Sequence, residues 1–221
     1  MGWTEPFELD EVQILDTYYL AAQKSDIAFL KKMDTARLLA GFRTTAGIDT
    51  KGVRPYGGWE DSLLGGHCVG HYLTAIAQAV KATGDEELKE KSQVLIEGLE
   101  ECQRKLGTGF LFGAKVEDKE DVEKQFDILE GKKKGETWVP WYNMHKVLAG
   151  LIDTYKYTEN ETALLIAEKL GDWIYERVSK WDLKTNQKVL ETEYGGMNDC
   201  LYELYSYSHN TVSYTHLRAH E

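Results

Sequence analysis

Residues 56–77 read YGGWEDSLLGGHCVGHYLTAIA, and this stretch decides the fold. From His67 on, Val69, Leu73, Ala75, Ile76, Ala77, Ala79 and Val80 leave almost no polar face, which predicts a helix over 67–83 that is buried on most sides. Gly84 ends it and Asp85 caps the next helix, where Leu88, Leu95, Leu99 and Cys102 form one stripe while Lys89, Glu90, Glu97, Glu101 and Arg104 cover the other face. A buried helix is therefore followed by one that faces water.

The same pairing recurs downstream. Pro140 suits a first helical turn, and Met144, Val147, Leu148, Leu151 and Tyr155 then make a second buried helix over about 141–157. The turn Thr158-Glu159-Asn160 opens a helix to about Trp181, with Leu164, Ala167, Ile174 and Val178 inward. Twelve residues separate His71 from Thr83 and thirteen separate His145 from Thr158, so ATGDEEL and YTENETAL are equivalent hairpin turns. A third buried helix starts near Tyr194-Gly195-Gly196-Met197-Asn198. Buried helix, short turn, solvated helix and long loop together predict an all-α fold, part of an α/α six-hairpin toroid, with the inner helices running the same way and their amino termini gathered at one end.

The flanking segments carry less signal. Residues 10–41 predict two or three short helices, and 41–58 a glycine-rich loop. Residues 107–135 are too long for a plain connector; 109–113 read as extended and 122–129 as a helical turn or two. TVSYTHLRAHE, at 211–221, lacks the apolar periodicity of a further hairpin helix and is expected to be a non-native tail, with 1–210 as the toroid portion.

Composition narrows the class of function. A chain of 221 residues with 42% hydrophobic and 29% charged residues is long enough for one ordinary domain or for part of a larger one. The net charge of −11, with Lys132-Lys133-Lys134 as its only tight basic run, argues against a nucleic-acid partner. No basic start, signal-length apolar run or bilayer-length segment is present, so no membrane partner and a cytoplasmic location are expected of the chain as written, with a secreted or periplasmic parent left open. Cys68, Cys102 and Cys200 contain no CxxC pair and read as reduced thiols. The 13 tyrosines and 6 tryptophans suit flat-faced ligands as well as a core.

The candidate site lies where the inner helices begin. His67 and His71 are four apart and so one turn apart on one face, which serves polar-ligand contacts, hydrogen bonding within the first turn, or metal ligation. Glu60 beside Trp59, and Glu193 beside Tyr194, are the acid/base candidates, although a carboxylate that orients a hydroxyl or caps a helix has the same signature. Trp141, in WVPWYNMH, belongs to a core or to a stacking platform. His145 and Asn198 hold similar places in their own hairpins. Trp59, Glu60, His67, His71, Trp141, His145, Glu193 and Asn198 are accordingly assigned to substrate binding.

Four blocks in order, PFELDEVQILD, GGWEDSLLGGHCVGHYLTA, WVPWYNMHKVLAGLIDTY and EYGGMNDCLYELY, resemble the amino-terminal part of the β-L-arabinofuranosidase glycoside hydrolases, families 127 and 146, over about residues 6–207. The resemblance implies an α/α six-hairpin toroid followed by β-sandwich material. It implies removal of terminal β-linked L-arabinofuranose from an arabinose-containing glycan, by a retaining mechanism with a zinc-held cysteine thiolate as nucleophile and a glutamate as acid/base. Those motifs lie in later hairpins of the family, so the chain is expected to be a truncated portion whose zinc and catalytic residues lie beyond its end, and Cys68, Cys102 and Cys200 receive no such role. Such a portion would leave inner helices without neighbours and would tend to self-associate. Asp199 stands where relatives often have Glu. A sugar-binding or scaffold protein without chemistry, or an epimerase or lyase on the same toroid, are the alternatives.

Overall fold

The computed structural model describes residues 6–116 and 118–209. They form α1 (Thr17–Lys32), α2 (Thr35–Thr45), a 3-10 turn (Gly58–Asp61), α3 (His67–Thr83), α4 (Glu86–Leu106), α5 (Lys124–Leu129), α6 (Pro140–Thr158), α7 (Glu161–Val178), α8 (Leu183–Thr192) and α9 (Met197–Ser208). No strand occurs among the described residues, and none of their helices is long and apolar enough to cross a membrane. The tail at 211–221 lies outside the described residues.

The hairpins fall where the turn chemistry puts them. α3 closes at Gly84, whose φ of 67° is left-handed, and the Asp85 carboxylate then accepts from Leu88 N to start α4. In the second hairpin Pro140 opens α6, Glu159 takes the left-handed cap at φ 56°, and Asn160 caps α7 through Ala163 N.

α3, α6 and α9 lie side by side as the inner row, with α4 and α7 outside them. They are parallel: His71 meets Tyr142, Thr74 meets Asp153, Cys200 meets the His145 carbonyl and Lys156 meets Glu203. Backbone meets backbone where α3 crosses α6. A Cβ on Gly70 would collide with the Lys146 carbonyl, and one on Gly150 would lie 2.5 Å from the Gly70 carbonyl oxygen. Only glycine lets the two helices approach this closely, and that seam fixes their amino ends beside each other.

The long segment 107–135 is part of the core. Phe110, Leu111, Phe112 and Phe126 are buried, and Phe126 packs edge-on against Trp141 at 5.0 Å between centroids. Arg177 of α7 holds α5 in place by pairing with Glu123 at 2.7 Å, Asp127 at 2.5 Å and Glu130 at 2.6 Å. α1 buries none of its residues and leaves Tyr18, Tyr19 and Phe29 exposed. α8, which the hydrophobic pattern does not announce, buries only Val189 and delivers Glu193 to the neighbourhood of α6.

Candidate functional site

A cavity of about 640 Å³ opens where the inner helices begin. Trp59, 67% exposed, and Trp138, 47% exposed, stand at its rim. Trp141, Tyr142, His67, His145, Lys146 and Glu193 line it, and Gly195, Gly196 and Met197 close it from the start of α9.

The mouth of α3 is built on Glu60. The 3-10 turn buries this residue to 8% exposure, and Oε2 accepts from Gly66 N at 3.0 Å while Oε1 accepts from Cys68 N at 3.2 Å. The carboxylate thus satisfies two of the amide groups that a helix start leaves unpaired. His67 Nδ1 lies 2.9 Å from Glu60 Oε1 and 2.7 Å from the Leu64 carbonyl, which can only accept, so Nδ1 carries a hydrogen. His67 Nε2 lies 3.7 Å from Cys68 Sγ. Cys68 at one nitrogen and Glu60 at the other pull the imidazole up to about 10 against the effect of burial. Burial would raise Glu60, but the ring and the Gly66 and Cys68 groups together hold it below the usual carboxylate range.

The mouth of α6 has the same plan with another outcome. Glu193 Oε2 accepts from Tyr142 N at 2.7 Å and Oε1 from Trp141 N at 3.3 Å, so a carboxylate from outside the helix again caps an inner helix. Among the described residues no imidazole touches it, and burial raises it to about 7 despite those bonds. His145, one turn further on, is lowered to about 4 by burial and by the Lys146 charge. Its ring lies against Gly196, where a Cβ would sit 2.5 Å from Nε2. His71 is likewise lowered by burial and by Lys146, and its Nε2 lies 3.4 Å from the Tyr142 hydroxyl.

Of the residues assigned from sequence, Trp59, His67, Trp141, His145 and Glu193 line the cavity. Glu60 stands behind His67, and His71 reaches the wall through Tyr142. Asn198 is exposed in the first turn of α9 and is not in the lining; its neighbour Met197 is. Trp141 is both core and wall, since it packs on Phe126, Trp173 and Trp181 as well as facing the cavity. Lys146 was missed; directly after His145, it gives no sequence signal that separates it from a solvated lysine.

Glu60, His67 and Cys68 bring carboxylate, imidazole and thiol atoms within 4.8 Å of one another, the donor types that zinc takes. As arranged, His67 Nδ1 is committed to hydrogen bonds and Glu60 Oε1 accepts two, which leaves Glu60 Oε2, His67 Nε2 and Cys68 Sγ. These are three donors, one fewer than a closed tetrahedral zinc site takes, and no step is assigned to a metal here.

Parallel inner helices, outer helices paired to them by short turns, and an aromatic-rimmed cavity at their amino ends define an all-α, toroid-type hairpin domain. The chain belongs to the family described as β-L-arabinofuranosidase, GH127 catalytic domain, whose model matches residues 11–217. Its fold is similar to the crystal structure of Ara127N-Se, a GH127 β-L-arabinofuranosidase from Geobacillus stearothermophilus T6, with a TM-score of 0.65 and 15% identity. The match covers 94% of this chain and 32% of that one, so the chain spans about a third of that protein's length. No curated protein matches the sequence significantly.

Proposed function

We propose that the cavity is part of the sugar-binding site of a glycoside hydrolase that removes terminal β-L-arabinofuranosyl groups from an arabinose-containing glycan. Family membership supports the reaction class. The observation that carries the assignment to this cavity is that two inner helices open onto it beneath two exposed tryptophans, with imidazoles and carboxylates at hand for hydroxyl groups. Trp59 and Trp138 stack on the sugar face, and His71 and His145, kept neutral near pH 7, both donate and accept toward hydroxyls. Glu60 and Glu193 act by holding the helix starts, and Glu193, which carries a proton for part of the time near pH 7, is the better placed of the two to share it with a ligand.

In the whole protein, zinc would turn a cysteine into a thiolate nucleophile. Titration of the chain with L-arabinose, followed by tryptophan fluorescence, tests the site. Saturable binding that is lost in Trp59→Ala and Trp138→Ala is expected; a flat titration would refute it. Turnover of an aryl β-L-arabinofuranoside by the whole protein tests the reaction, and binding without turnover would favour the non-catalytic alternative.

A further inference from the structure

The three cysteines sit in different surroundings. Cys102 on α4 and Cys200 on α9 are buried, and burial pushes both thiols up to about 12. Cys200 Sγ faces the His145 carbonyl at 3.9 Å, an acceptor that keeps the proton on sulfur. Cys68, by contrast, is half-buried, lies in the first turn of α3 and has an imidazole nitrogen 3.7 Å from its sulfur.

We propose that Cys68 is a modification site, a thiol that exchanges with low-molecular-weight disulfides, with His67 as its proton acceptor. The geometry carries this. His67 Nδ1 is fixed by the Leu64 carbonyl and by Glu60, so Nε2 is the nitrogen left to take the thiol proton. Glu60 is itself fixed by the Gly66 and Cys68 amides. Thiol, imidazole and carboxylate stand in order as nucleophile, base and orienting group. The Cys68 sulfur and the Glu60 carboxylate on either side of the ring both raise the affinity of His67 for a proton. The other two cysteines are buried on other elements, so the disulfide comes from outside.

With the proton of Cys68 already held on His67 Nε2, the sulfur electron pair attacks one sulfur of the small disulfide. That S–S bond breaks as the new one forms, and the departing thiolate takes the proton from Nε2. The products are a mixed disulfide at Cys68 and one free small thiol; excess thiol reverses the reaction. The adduct stands against the His67 ring, which lies 6.0 Å from that of Tyr142 and 6.4 Å from that of Trp59 on the cavity wall. The sugar assignment is not needed for this chemistry.

The test is the reaction of the folded chain with 5,5′-dithiobis(2-nitrobenzoate) at pH 7, with the labelled residue mapped by mass. One thiol, Cys68, is expected to react about 100-fold faster than the other two, and faster than in urea, where all three react alike. Cys68→Ser removes the fast phase, and His67→Gln slows it by about tenfold or more. A Cys68 that reacts more slowly in the folded protein than in urea would overturn the proposal whether or not His67→Gln folds. So would a folded His67→Gln that reacts at the wild-type rate.

Discussion

At the start of α3 the capping carboxylate touches an imidazole; at the start of α6 the equivalent carboxylate touches, among the described residues, only backbone amides. The helices are alike in direction, in their cap from outside the helix, and in opening onto one cavity. Their charge states differ. Glu60 is held ionised and His67 protonated, whereas Glu193 rises to about 7 and His145 falls to about 4. The surroundings make the difference: Cys68 and Glu60 offset burial at His67, whereas burial outweighs two amide bonds at Glu193 and acts together with the Lys146 charge at His145. The cavity therefore has a paired, fixed wall on the α3 side and, on the α6 side, a proton-exchanging Glu193 and a neutral His145 beside the Lys146 charge.

The largest expected effect comes from breaking the seam that joins the two mouths. Gly70→Ala puts a methyl group into the Lys146 carbonyl and should cost about 3 kcal/mol in urea unfolding, because backbone cannot step aside as a side chain does. An unfolding midpoint unchanged from wild type would show that the two helices can slide apart freely.

The caps should differ next. Glu60→Gln removes a buried charge from an imidazolium and should cost about 2 kcal/mol, whereas Glu193→Gln replaces a carboxyl that is already half protonated near pH 7 and should cost about 1 kcal/mol or less at pH 6. Equal losses would mean that the two mouths are not electrostatically distinct.

A smaller effect follows from pH. The Glu193 carboxyl binds its proton more tightly folded than unfolded, so its contribution to stability is favourable at low pH and is lost as pH rises from about 4.5 to about 7. His145 runs the other way: its folded value lies below its unfolded one, so stability is lost as pH falls from about 6.5 to about 4. Removing either group by Glu193→Gln or His145→Asn should flatten its own part of the curve of unfolding midpoint against pH, and leave the other part in place.

The frame of this arrangement is written locally and the mouths are not. Gly84-Asp85, Asn160 and Pro140 act on residues within one turn of themselves, so the bounds of α3, α4, α6 and α7 follow from turn chemistry and apolar period. α8 is hidden because only Val189 is buried, which leaves no stripe to read. The capping role of Glu60 was one of two open readings of a helix-opening carboxylate, and it depends on a turn of the chain that brings Glu60 back to Gly66, six positions on. Glu193 reaches Tyr142 across 51 residues, a pairing that no local pattern encodes. The same holds for the approach of Gly70 to Gly150 and for the unequal fates of His67 and His145, which depend on what each ring meets after folding.

The most direct test is a histidine-selective NMR titration of the chain from pH 5 to pH 9, with and without L-arabinose. His67 should stay protonated and His145 neutral across that whole range, and both signals should move when the sugar is added. Two imidazoles that titrate together near pH 6.5, with signals indifferent to the sugar, would contradict both the charge difference between the mouths and the cavity they share.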